Sequence, residues 1–111
     1  MKRLVARSQN RTKRVQMGNE AHLECYSGEN VTVFWSKIDQ TTKEEQEITV
    51  NETTLHFDKR FKSTKHVKTK KWVLSIKYTQ RSDEGIYACH IHTDPPETQY
   101  VQLILVVNLE W

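Results

Sequence analysis

The feature that most constrains this chain is a pair of cysteines, Cys25 and Cys89, with Trp35 following the first and Tyr87 two residues before the second. A bridge between them would close a loop of about 64 residues, which a chain-entropy argument values at roughly 4 kcal/mol. A chain of 111 residues buries only a modest core, so such a clamp would supply a large share of the ~5–15 kcal/mol that keeps a domain folded. An even cysteine count is weak by itself. Three Asn-x-Thr triplets strengthen it: Asn10-Arg11-Thr12, Asn30-Val31-Thr32 and Asn51-Glu52-Thr53. Each is an acceptor for N-linked glycan, and together they point to an oxidising, secretory route on which a disulfide persists. The expected location is therefore extracellular, on a cell surface or secreted.

Around these markers the chain alternates apolar and polar residues between turn signals, with no helical period anywhere. Using the usual sandwich letters, strand B covers 21–25, C covers 31–35, C′ 48–50, a short C″ edge 53–57, and D starts at Phe61. Strand E covers 72–76, F 86–93 and G 98–107. Asp39 to Glu47 reads as a polar loop, and Asp94-Pro95-Pro96-Glu97 as a turn. Eight or nine short strands without intervening helices imply an all-β domain of antiparallel sheets closed face to face. Leu23, Cys25, Val33, Trp35, Leu74, Ile76, Tyr87, Cys89, Ile91, Val101, Leu103 and Leu105 then point inward. A tryptophan on strand C against an inter-sheet disulfide, with a corner tyrosine two residues before the second cysteine, specifies an immunoglobulin β-sandwich of variable-like (V/I-set) type. In that frame Arg60 and Asp83 are expected to form the ion pair that closes one end of the sandwich. The sandwich is expected over 15–107, after a basic segment 1–14 with a candidate strand A. Residues 108–111 read as a linker or tail, and Met1 as an added start.

Several stretches carry a closer resemblance. They are Gly18-x-x-Ala21-x-Leu23-x-Cys25, Trp35, Asp58-Lys59-Arg60-Phe61, Trp72-Val73-Leu74-x-Ile76, Asp83-Glu84-Gly85-x-Tyr87-x-Cys89, Thr93-Asp94-Pro95 and Val106-Val107. The sequence resembles the first immunoglobulin domain of the Dpr, DIP, IgLON and lachesin group of neuronal cell-surface receptors, nearest to the Dpr-like branch. It departs from the group at His90, where a glutamine often follows the second cysteine. The resemblance implies neuronal adhesion and partner matching, with synaptic specificity as the outcome. The pairing would be face to face, through the sheet carrying strands G, F, C, C′ and C″. The implied partner is a related domain, a DIP-like protein first, or a second copy of this chain.

Strand alternation marks the same face independently. With Trp35 and Cys89 inward, Phe34, Ser36, Ile38, Ala88, His90, His92, Tyr100, Gln102 and Ile104 face outward. Apolar and aromatic side chains on a face that a lone domain would leave wet mark an interface. The expected contact residues are Phe34, Ile38, His90, His92, Tyr100, Gln102 and Ile104, with Ile48 and Leu55 added from the C′–C″ edge. Glycans on Asn30 and Asn51 would border that surface.

Other chemistries find less footing. His90 and His92 could share a metal, but a stable site needs three or four ligands, so no metal is expected. No nucleophile–base pair or phosphate-binding glycine loop is present, so neither catalysis nor a cofactor is expected. The longest apolar run, Leu103 to Val107, is far short of the ~20 residues of a membrane span. The net charge of +3 is unevenly placed: of 17 Lys and Arg, most fall in Lys2–Arg14 and Lys59–Lys71. Such clusters suit heparan sulfate and leave two alternatives to receptor pairing. One is a heparan-binding matrix module. The other is a structural repeat immunoglobulin domain, which would carry free thiols and unmodified sequons. No nucleic-acid partner is expected.

Overall fold

A computed structural model describes residues 10–107. The strands are β1 (Asn10–Gln16), β2 (Ala21–Tyr26), β3 (Val33–Ile38), β4 (Glu45–Val50), β5 (Thr53–Thr54), β6 (Phe61–His66), β7 (Lys71–Ile76), β8 (Gly85–Ile91) and β9 (Glu97–Val106). They form a six-stranded sheet, ordered β1-β9-β8-β3-β4-β5, and a three-stranded sheet, ordered β2-β7-β6. This is the immunoglobulin sandwich expected from the spacing. Strands B, C, C′, C″, D, E, F and G correspond to β2 through β9 in turn. Among the described residues, a 3-10 turn, Arg81–Asp83, is the one helical element between the strands.

The inward set is buried in full. Leu23, Cys25, Val33, Trp35, Leu74, Ile76, Tyr87, Cys89, Ile91, Val101, Leu103 and Leu105 all lie in the core between the sheets. Cys25 and Cys89 are bonded, linking β2 of one sheet to β8 of the other. Trp35 stands beside Cys89 in the β3–β8 register, and Trp72 stands beside Cys25 in the β2–β7 register. Two indoles therefore flank the bridge, where the sequence alone placed one. The Tyr87 hydroxyl donates to the Asp83 carbonyl oxygen at 2.6 Å. Burial holds that phenol well above its usual pKa.

Three expectations change. First, β1 pairs with β9 in parallel, although every other pairing is antiparallel. It also runs across the 14/15 boundary of the expected domain. Its residues are almost all polar, so no period announces it; Val15 alone packs on the core. Second, Glu45, Gln46 and Glu47 are strand, not loop: they pair with Ile38, Lys37 and Ser36. A polar strand with its side chains in water shows no alternation to read. Third, β5 is two residues long rather than 53–57. The expected tail, 108–111, and the first nine residues lie outside the described part of the chain.

Candidate functional site: the outer face of the six-stranded sheet

The β3–β8–β9 ladder sets the face residue by residue. Phe34 pairs with His90, Ser36 with Ala88 and Ile38 with Ile86 across β3–β8. Ala88 pairs with Tyr100, and Ile86 with Gln102, across β8–β9. Phe34, Ile38, His90 and Ile104 are half-buried, whereas His92, Tyr100 and Gln102 are exposed. Seven of the nine proposed contact residues thus share one continuous surface. Leu55, half exposed at 50%, sits just beyond β5 at its edge.

Ile48 does not belong to this surface. It is 2% exposed and part of the core. The β3–β4 register shifts between Trp35 and Ser36: Trp35 faces Thr49, but Ser36 faces Glu47. Ile48 is the extra residue of a β-bulge, and the bulge lets Ile48 and Thr49 both turn inward. An unbroken alternation would have sent Ile48 out. Ser36 and Ala88 lie on the outer face by register and are nevertheless buried. They are small, and taller neighbours cover them.

These short side chains leave the face concave. One open depression of about 630 Å³ runs over Ser36 between Phe34, His90, His92 and the β4 carboxylates Glu45 and Glu47. A larger one, about 920 Å³, lies toward the far end of the sheet, with Ile38 and Ile104 beside Asp39, Glu44 and Glu84. The face is therefore apolar along its midline and acidic along its β4 side.

Polar contacts fix its geometry. His90 Nε2 lies 2.7 Å from Glu45 Oε1, and His90 Nδ1 lies 3.0 Å from the Thr98 hydroxyl. An ionised carboxylate only accepts. Nε2–H therefore donates to Glu45, and in the neutral ring the Thr98 hydroxyl donates to Nδ1. Three strands, β4, β8 and β9, are pinned by one imidazole. The Phe34 and His92 rings pack obliquely with centroids 4.6 Å apart. Nothing in the sequence marked Glu45 or Thr98: Glu45 is remote from His90 along the chain, and Thr98 meets it only through the β8–β9 register. Among the described residues, no three His, Cys, Asp or Glu side chains converge to hold a metal ion.

At the end of the sandwich where Arg60 lies, its guanidinium meets Asp83 at 2.9 Å through both terminal nitrogens, and Asp58 at 2.9 Å. The Asp83 and Asp58 hydrogen bonds raise the arginine pKa still further above its ordinary value. Lys37, partly withdrawn from water, is pushed down by desolvation, while Asp83 and Asp39 pull it back up. Its ammonium donates to the Ser82 carbonyl oxygen. The sequons lie toward the opposite end. Asn30 is exposed in the β2–β3 loop. Asn51 occupies the β4–β5 turn, where its Oδ1 accepts the Val33 N–H at 3.0 Å. Asn10 opens β1.

The family model described as immunoglobulin V-set domain matches residues 8–107. Among solved structures, the crystal structure of Dpr11 IG1 bound to DIP-gamma IG+IG2 holds a chain 34% identical to this one. The TM-score is 0.69, and the match covers 88% of this chain and 98% of that one. The structure of Dpr1 IG1 bound to DIP-eta IG1 matches at 27% identity and TM-score 0.70, over 87% and 88% of the two chains. The RIG-5 IG1 homodimer, at 22% identity and TM-score 0.73 over 86% and 90%, shares the fold. Comparison with curated proteins by sequence gives no match.

Proposed function

The chain belongs to the immunoglobulin V-set family, and from that premise we propose that it is an extracellular recognition domain that pairs with a related immunoglobulin domain. Pairing runs through the outer face of β9, β8, β3, β4 and β5, with a DIP-type first domain or a second copy as partner. The observation that carries this reading is the unpartnered, concave, apolar midline of that face: Phe34, Ile38, Ile104 and Tyr100 around the Ser36–Ala88 floor. Similarity to a Dpr11 IG1 structure solved with DIP-gamma supports the choice of partner class. The role is binding, not catalysis, and the setting is adhesion between neuronal cells with the parent protein held at the membrane.

A pairing of standard size would bury about 1,600 Å² in total, with affinity concentrated in a few central anchors. Phe34 and Ile104 are the anchors and Gln102 supplies a polar contact, while His90, whose two ring nitrogens are taken by Glu45 and Thr98, offers its ring face. Leu55 and His92 form the rim, and glycans on Asn30 and Asn51 limit how far the partner reaches toward the β4–β5 turn. Sedimentation of the domain, alone and mixed with Dpr-, DIP- and IgLON-type first domains, tests this. We expect a dimer with one partner class, weakened about 30-fold or more by Phe34→Ala or Ile104→Ala, which corresponds to ~2 kcal/mol. A monomer in every mixture would overturn the reading. Losses below about threefold would remove both anchors from it.

A further inference from the structure

Folding gathers four cations of the second basic cluster, Lys62, Lys68, Lys70 and Lys71, on the face opposite the recognition surface. On the outer side of the three-stranded sheet, the register sets Tyr26, Lys71 and His66 in one row and His22, Ser75 and Lys62 in another. The β6–β7 turn adds Lys68 and Lys70, both exposed. Arg11 reaches over from β1: its guanidinium lies 4.8 Å from the centroid of the Tyr26 ring and donates to the Glu24 carbonyl oxygen at 3.0 Å. The Lys71 ammonium lies 5.6 Å from the same centroid. Tyr26, 42% exposed, thereby holds two cations at the head of the row.

Little negative charge answers them. Glu24 pairs with Lys71 at 3.4 Å, and Glu20 contacts His22 at 3.1 Å. No ion pair among the described residues involves Lys62, Lys68 or Lys70. From Lys62 to His66, β6 spans about 13 Å at ~3.3 Å per residue. Both depressions described above lie on the other sheet, so this surface is open, suited to a linear polyanion laid across it rather than to a compact ligand.

We propose that the outer face of β2, β7 and β6, with the β6–β7 turn, binds a sulfated glycosaminoglycan chain. The chemistry is a row of ammonium groups matched to sulfates repeating along a polysaccharide, with affinity gained by counterion release. The choice of polyanion rests on the extracellular reading above: disulfide and sequons place the domain where sulfated sugars are abundant and nucleic acid is not. The site is separate from the recognition face, whose β4 side carries Glu45 and Glu47 and would repel the same ligand. One domain can therefore hold a matrix chain and a partner together.

The test uses the whole chain and a size-defined heparin oligosaccharide. The variant Lys62→Gln/Lys68→Gln/Lys70→Asn is compared with Lys13→Gln/Lys43→Asn/Lys59→Gln, each bringing the formal net charge from +3 to zero. Asn is chosen at 43 and 70 because both backbones have positive φ, 67° and 57°. We expect the first variant to lose about tenfold or more in heparin affinity at physiological salt, with a shallower dependence of log affinity on log salt. The second should keep most of its affinity. Partner pairing, measured in the same samples by sedimentation, should be unchanged in the first variant. Equal loss in the two variants, or no loss in the first, would overturn the site. Equal binding of the same face to phosphatidylserine vesicles would overturn the sulfated-sugar assignment. Heparin binding is read without a protein partner, so its failure and the failure of the pairing reading are separate results.

Discussion

Arg60 sits between two carboxylates and the carbonyl oxygens of Lys77 and Tyr78, each accepting at 3.0 Å. Asp83 is nearly buried, with a side chain 5% exposed, and the arginine itself is 21% exposed. Removing the arginine strands a carboxylate in the protein interior. Arg60→Ala is expected to cost about 2–4 kcal/mol, toward the lower end because the guanidinium still meets water; urea denaturation measures it. Asp58 is held below the ordinary carboxylate range, first by the Arg60 side-chain hydrogen bond and then by the Arg60 backbone N–H. A depressed folded pKa contributes stability that is present above the unfolded value near ~3.9 and lost as pH falls through the folded one. Stability should therefore decline below about pH 4, and Asp58→Asn should flatten that decline. An unaltered profile in the variant would contradict the assignment. Asn51 poses a different problem at this scale. Its φ is 51°, and its side chain caps the Val33 N–H, so Asn51→Gln should cost about 1–2 kcal/mol quite apart from any glycan. Thr53→Ala removes the same sequon on the exposed β5 edge and should stay within about 0.5 kcal/mol. Thermal melts of the two unglycosylated variants separate sugar from scaffold.

At the scale of elements, β4 departs from simple alternation. Its bulge turns two consecutive residues into the core and leaves Glu47, Gln46 and Glu45 on the water side, where Glu45 reaches His90. Ile48→Ala should lose about 2–4 kcal/mol and change pairing only through stability. Leu55→Ala, on the exposed edge, should stay within about 0.5 kcal/mol and act on pairing alone. Chemical denaturation alongside sedimentation checks both, and the reverse pattern would put Ile48 back on the surface. β2, β3, β7, β8 and β9 were legible because each packs one face on the core and so alternates. In β1, β4 and β5 solvent takes most of the side chains, so the period disappears. A bulge cannot be read from one strand, because it is a property of the pairing.

Across the whole molecule, the disulfide ties the two sheets at the centre of the core. Reduction, or Cys25→Ala with Cys89→Ala, should remove about 4 kcal/mol and leave a domain close to unfolding at physiological temperature. A melting temperature unchanged by reductant would contradict this. The molecule is also polarised, with an acidic and apolar outer face on the six-stranded sheet and a cationic row on the other. Neither tract of sequence announces that opposition. Glu45 and Glu47 lie between the basic clusters in the chain, and the fold carries them to the face away from Lys62, Lys68 and Lys70.

By itself the sequence determined the sandwich, its disulfide, the inward set and the Arg60–Asp83 and Tyr87 contacts. The inward set rests on local alternation and the sandwich and disulfide on the Cys–Trp–Cys spacing, while the Arg60–Asp83 and Tyr87 contacts follow from the immunoglobulin pattern those residues match. Only the tertiary structure decided where Ile48 points, how β1 joins β9, which residues floor the outer face of the six-stranded sheet and what holds His90. Each of those depends on which residue of one strand stands opposite which residue of another, and that register is set by packing the whole core at once.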